Sequence, residues 1–206
     1  MHYIVVLLII FFSSHAAFAK QIDVVVGWTK PPYVISEQDS GFELELVRAI
    51  LLEMGHEMSP IYVPFGRTAS LVKKGGVDIG LTLNSGHDID PAILTDAYVY
   101  YQNVAVSRTD RNLEINEIED LLGHSVIAFQ TAISVLGEEF KNTLAHQKNY
   151  MELAQQERQI NLLLLGSVDV AVLDRNIFQY AKHQLPFEKQ HDTKIHELFP
   201  VSSYSA

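Results

Sequence analysis

Apolar and polar positions along this chain change period repeatedly, and each change marks an element. Gln21 to Trp28 reads as a strand, and the turn-rich Thr29-Lys30-Pro31-Pro32-Tyr33 that follows cannot continue as a helix. From Phe42 to Met54 the spacing becomes helical, with Phe42, Leu46, Ala49, Ile50 and Met54 on one face and Gly55 at the C-cap. Pro60 to Pro64 predicts a strand and Arg67 to Lys74 a short helix. Val77, Ile79, Leu81 and Leu83 then alternate with Asp78, Gly80, Thr82 and Asn84, the pattern of a strand with one buried face. A βαβαβ order of this kind predicts an α/β fold with largely parallel sheets and helices on their faces.

The second half repeats the scheme. Ser125 to Gln130 predicts a strand, Ile133 to Leu144 and Gln155 to Leu165 predict helices, and Leu162 to Leu165 read as a buried helix face. Gly75-Gly76-Val77-Asp78-Ile79-Gly80-Leu81 then recurs 91 residues later as Gly166-Ser167-Val168-Asp169-Val170-Ala171-Val172. Each copy stops a helix with Gly, turns, and opens a core strand. Two copies, each late in its own α/β half, predict two similar lobes. The charged stretch Ser107-Arg108-Thr109-Asp110-Arg111-Asn112 between them reads as a hinge.

The N-terminal end changes the setting. Ile4 to Phe12 is an unbroken apolar run followed by Ser13, Ser14 and Ala17-Phe18-Ala19, the layout of a secretory signal peptide cut after Ala19. The run is too short for a span, which needs roughly 20 apolar residues. Cleavage would leave 187 of the 206 residues, enough for two small cores. Lys and Arg number 15 against 25 Asp and Glu, none of them in the leader, so the mature surface is acidic and unsuited to nucleic acid or anionic membranes. Cys is absent, which removes disulfides, thiolate metal sites and lipoprotein attachment.

Several of these residues carry a resemblance. Thr29-Lys30-Pro31-Pro32-Tyr33, the helix start Gly41-Phe42-Glu43-Leu44-Glu45-Leu46-Val47, both Gly-x-Val-Asp strands and Phe129-Gln130-Thr131 resemble family 3 of the extracellular solute-binding proteins, from about Gln21 to Tyr204. The resemblance implies a type II periplasmic-binding-protein-like fold: lobe 1 over residues 20–107, lobe 2 over 108–197, and a return crossover over 198–206. It implies a periplasmic monomer without cofactor or metal that holds a polar amino-acid-like ligand between its lobes and delivers it to an ABC importer. It also implies C-terminal helices packed back on the first lobe. The chain stops at Tyr204-Ser205-Ala206 and so reads as short by a few tens of residues, with apolar surface on that lobe left uncovered.

By position, the resemblance places Thr82, Leu83 and Ser85 at the ligand, Phe65 as an apolar wall, and Tyr33 near the first loop beside Trp28. Thr131 falls at a helix N-terminus suited to a carboxylate, or else is an ordinary N-cap. Asp174 falls where amino-acid binders set an acid against the ligand's ammonium, or else caps the helix from Arg175. The arginine that usually clamps the ligand's carboxylate is missing, and Asp90 stands in its place. Arg67 and Lys30 are the candidate substitutes. His87, Asp88 and Asp90 form an acidic loop without a calcium-loop pattern. The same fold hosts extracytoplasmic sensors and a dehydratase, for which Glu43 or Asp174 would have to serve as a cleft base.

Overall fold

The computed structural model describes residues 20–206, so the expected leader lies outside the described residues. The first lobe begins with β1 (Lys20–Gly27), α1 (Phe42–Glu53), β2 (His56–Val63), α2 (Thr68–Lys73) and the short β3 (Ile79–Gly80). These strands form a parallel sheet in the order β2-β1-β3. After β4 (Val99–Tyr101) the chain passes to the second lobe, built from β5 (Asn103–Arg108), β6 (Val126–Phe129), α3 (Ala132–Val135), α4 (Glu138–Leu144), β7 (Tyr150–Leu153), α5 (Gln156–Leu164), β8 (Val170–Asp174), α6 (Arg175–Gln184) and β9 (Thr193–His196). Its sheet runs β7-β6-β8-β5-β9, with β7, β6 and β8 parallel and β5 antiparallel to both its neighbours. The last strand, β10 (Ser202–Tyr204), returns to pair antiparallel with β4.

The two lobes share one design. The order β2-β1-β3 in the first matches β7-β6-β8 in the second, and the repeated Gly-x-Val-Asp segment closes both sheets by the same bonds. Asp78 N–H donates to the Asp23 carbonyl at 3.0 Å while its carboxylate accepts from Asp23 N–H, also at 3.0 Å. Asp169 N–H donates to the Ser125 carbonyl at 3.0 Å while its carboxylate accepts from Ser125 N–H at 2.9 Å. The Asp therefore staples the incoming strand to the central strand of the shared unit, β1 in one lobe and β6 in the other. Gly75 and Gly166 turn the chain just before it in left-handed conformations, φ +66° and +74°.

Four expectations change. The helical face read from Phe42, Ile50 and Met54 is the outer one, since those residues are exposed whereas Glu43, Leu44, Val47 and Leu51 are buried. The helix is apolar on two sides, and the inward side is the one that brings Glu43 to a buried lysine. The alternation over 77–83 does not persist, because Gly80, Leu81, Thr82 and Leu83 are all buried, Leu83 bridging to Ser205 just after β10. The single helix expected over 133–144 is broken at Gly137, φ +99°, into α3 and α4. The crossing falls at Gln102, because β5 already belongs to the second sheet. The stretch 107–112 is instead the end of β5 and a turn in which Arg108 grips Asp110 and, at 2.9 Å, the Leu164 carbonyl.

Candidate functional site

Two groups of polar side chains face each other where the lobes meet. From the first lobe, Lys30 in the loop after β1 is 4% exposed, and its ammonium donates to Glu43 Oε1 at 2.7 Å, Thr82 Oγ1 at 2.6 Å and Tyr101 OH at 2.6 Å. All three ammonium hydrogens are thus used. Glu43, fully buried at the start of α1, also accepts from Thr82 Oγ1 at 2.7 Å, from Tyr98 OH at 2.6 Å and from Tyr101 OH. Burial alone would raise the Glu43 carboxyl, but the Lys30 ammonium and the hydroxyl donors hold it below the usual carboxylate range. Burial likewise draws the Lys30 ammonium down, against the pull of Glu43. Thr82 sits at φ +60°, and its N–H donates to Tyr98 OH. That left-handed turn aims its hydroxyl at the pair.

From the second lobe, Asp174 ends β8 and caps α6, accepting from Asn176 N–H at 2.9 Å and Ile177 N–H at 3.1 Å. Its other oxygen accepts from Gln102 N–H at 2.9 Å, which ties the crossing to the helix. Burial pushes its carboxyl up, and those backbone donors oppose the push. Asp174 is thus the helix cap, and it also lines the interlobe cavity. Asp174→Ala should lower stability by about 2–4 kcal/mol, combining a lost cap and an orphaned Gln102 N–H. Asp174→Asn should fall between it and the wild type. Urea melts check this, and an Ala variant as stable as the wild type would refute it.

The smaller cavity, about 30 Å³, lies between these groups and is lined by Lys30, Phe65, Thr82, Tyr101 and Asp174. That is the volume of about one water. Phe65 forms its apolar wall, 5.8 Å from the Lys30 ammonium. Tyr33 lies behind it, stacked on Tyr101 with ring centroids 4.4 Å apart, and its hydroxyl accepts from Asn176 Nδ2 across the lobes at 2.9 Å. Burial raises the Tyr33 phenol to about 12. A second cross-lobe bond runs from Gly66 N–H to Gln130 Oε1 at 2.9 Å. A larger cavity of about 580 Å³ adjoins the first, with Trp28 and the 29–37 loop on one side and α5 and α6 on the other.

Four expected site residues lie elsewhere. Arg67 is exposed at the end of a short turn, its side chain has no hydrogen-bond or ion-pair partner among the described residues, and it lines neither cavity. Ser85 is exposed in a turn capped by Asn84. Leu83 is buried, and its backbone bridges to Ser205. Thr131 adopts φ +77° and makes no cap bond, and its hydroxyl is buried without a partner. The Glu152 carboxylate has taken the place expected for a ligand's carboxylate, accepting from Thr131 N–H and Ile133 N–H at 2.8 Å each. The acidic loop is also locally committed, with Asp88 on Lys73 at 2.7 Å and Asp90 capping a turn through Ala92 N–H at 2.9 Å.

Sequence reasoning missed Tyr98, Tyr101, Glu152, Gln156 and Asn176, and it named Glu43 only as a possible base. The signal for Glu43 was a carboxylate one helical turn before Val47, on what proves to be the buried face.

No family model and no curated protein matches this sequence. Solved structures do match over nine tenths of the chain. An ancestral arginine-binding protein bound to glutamine is 21% identical with a TM-score of 0.68, covering 90% of this chain and 82% of its own. An ABC uptake transporter substrate-binding protein from Streptococcus pneumoniae with bound histidine is 14% identical with a TM-score of 0.69, covering 90% and 78%. A histidine kinase sensor domain with similarity to periplasmic binding proteins is 19% identical with a TM-score of 0.73, covering 91% and 81%. The chain therefore has the two-lobed, periplasmic-binding-protein-like α/β fold. At these identities the likeness extends to the fold, and function rests on the site.

Proposed function

We propose that this chain is an extracytoplasmic solute-binding protein, exported by a leader cut after Ala19, that holds a small polar ligand between its lobes as a monomer, for an ABC importer and without catalysis. The observation that carries the reading is the pair of adjoining cavities walled by both lobes, with buried polar groups on each side. Ligand contacts split this way favour closure, because only the closed form satisfies both halves. The solved structures whose printed names describe bound arginine, glutamine or histidine support an amino-acid-like ligand.

The site's charges refine that ligand. Lys30 is neutralised by Glu43, the N–H groups at Thr131 and Ile133 are filled by Glu152, and Arg67 faces away. Among the described residues no unpaired cation lines the smaller cavity, Arg158 standing in the wall of the larger one, and a carboxylate buried at the inner end without a cation is poorly compensated. Amines, amides and hydroxyl compounds should therefore raise the melting temperature more than the matching free α-amino acids do. A thermal-shift screen of amino acids against their carboxamides tests this. Equal or larger shifts with the free acids would overturn the charge reading, and no shift with any compound would overturn the binding reading.

A further inference from the structure

The larger cavity shares Trp28, Thr29, Gln156 and Ile177 with the smaller one, so a ligand that reaches the Lys30 and Asp174 end can run on into the larger without a break. Its 580 Å³ falls within the roughly 300–1,000 Å³ of ordinary ligand pockets, and a free amino acid would leave most of it to water. The walls are mainly neutral. Gln155, Gln156, Asn161 and Gln184 bring four carboxamides, opposite Trp28, which is 41% exposed. A carboxamide presents a donor and an acceptor side by side, the same pair that a peptide group presents. Gln156 lines both cavities, and its Oε1, occluded as the side chain lies, has no partner, so a turn of the side chain towards the chamber would let it accept from a ligand's N–H or O–H. The charges are Glu37 and Glu157 against Arg158, and the Glu37 carboxylate is already held by Thr29 Oγ1 at 2.6 Å.

We infer that the ligand is a short peptide, its amino end at the Asp174 side of the inner cavity and its following peptide groups along the carboxamide wall. The inference rests on the solute-binding reading and adds to it the ligand class. Turning the first residue's carboxylate into a peptide bond removes the charge for which the inner cavity has no free cation among the described residues, and supplies an amide N–H for Gln156 Oε1. Trp28 offers an apolar face to the flank of the chain. A neutral saccharide would suit the carboxamides and Trp28 but has no ammonium to set near Asp174.

The test is calorimetry of the mature chain with the free amino acid, its carboxamide and the matching tripeptide amide, in alanine, lysine and phenylalanine series. In at least one series the tripeptide amide should bind ten times or more as tightly as the carboxamide. Two variants at the outer wall, Asn161→Leu, which keeps the shape without the amide, and Gln184→Trp, which fills the chamber from an exposed position, should close that gap while leaving carboxamide affinity unchanged. Carboxamides that bind as tightly as tripeptide amides in every series would overturn the peptide assignment and leave the solute-binding reading standing. A gap that persists in both variants would place the peptide outside this chamber and overturn the assignment too. Absence of binding in all series would sink both.

Discussion

Replacing Lys30 by Met should cost about 3–5 kcal/mol, because it leaves Glu43, which has no exposed surface, as a buried carboxylate without a counter-ion. The three hydroxyls around Glu43 soften that loss without supplying a charge. The double variant Lys30→Met with Glu43→Leu should recover much of it, since no charge is then buried and Thr82, Tyr98 and Tyr101 can bond to one another. Urea denaturation at neutral pH reads both effects. A single variant with an unchanged midpoint and slope would mean that water reaches the pair and that the two charges are not coupled as drawn.

Acidification should weaken the fold through His87. Its ring is packed edge-on to Phe65, centroids 5.4 Å apart, its Nδ1 accepts from Asn84 N–H, and its Nε2 is buried without a partner. Burial, aided by the nearby charges of Lys30 and Lys73, lowers the imidazole from 6.5 to about 4. The unfolded chain takes up that proton first, so the contribution is whole above about pH 6.5 and disappears as the pH falls towards 4. At about 1.4 kcal/mol per pH unit it amounts to at most about 3.5 kcal/mol. Stability measured from pH 7.5 to 4.5 should fall less steeply in His87→Gln than in the wild type. Parallel curves would show that His87 titrates like a solvated histidine. His196, lowered by burial between Ser107 and the Ile115 carbonyl, adds a loss in the same direction.

How much of this was legible in the sequence depends on how local each cause is. The strands around Val24 to Val26 and Ile127 to Phe129, and the Gly turns before Asp78 and Asp169, follow from composition over a few residues. The echo was legible as a Gly stop, a turn and a strand, and the structure adds the bond pattern that both lobes share. The inward face of α1 could not be read, because Phe42 and Ile50 are as apolar as Leu44 and Leu51, and only the distant Lys30 decides which side turns in. The helices that wall the outer chamber were visible only in part, α5 by its spacing and α6 by the cap expected at Asp174. Thr131 was found by position, but its N–H groups were already taken by Glu152, 21 residues further on. Lys30 and Thr82 converge because a buried charge or hydroxyl needs partners, which the first lobe supplies in Glu43, Tyr98 and Tyr101, and Asp174 lines the same cavity from the second lobe.

The crossing at Gln102 has a mechanical consequence. Two segments join the lobes, β4 into β5 and β9 into β10, and the Gln102 side chain laces them by donating to the Phe199 carbonyl at 2.9 Å. Two straps fixed side by side resist twisting and sliding but bend readily about the line across them. The lobes thus have one soft degree of freedom. On the function proposed above, a ligand that bridges the mouth would have a single angle to arrest, and the entropy lost on closing would be that of one rotation and not of two bodies tumbling on a tether.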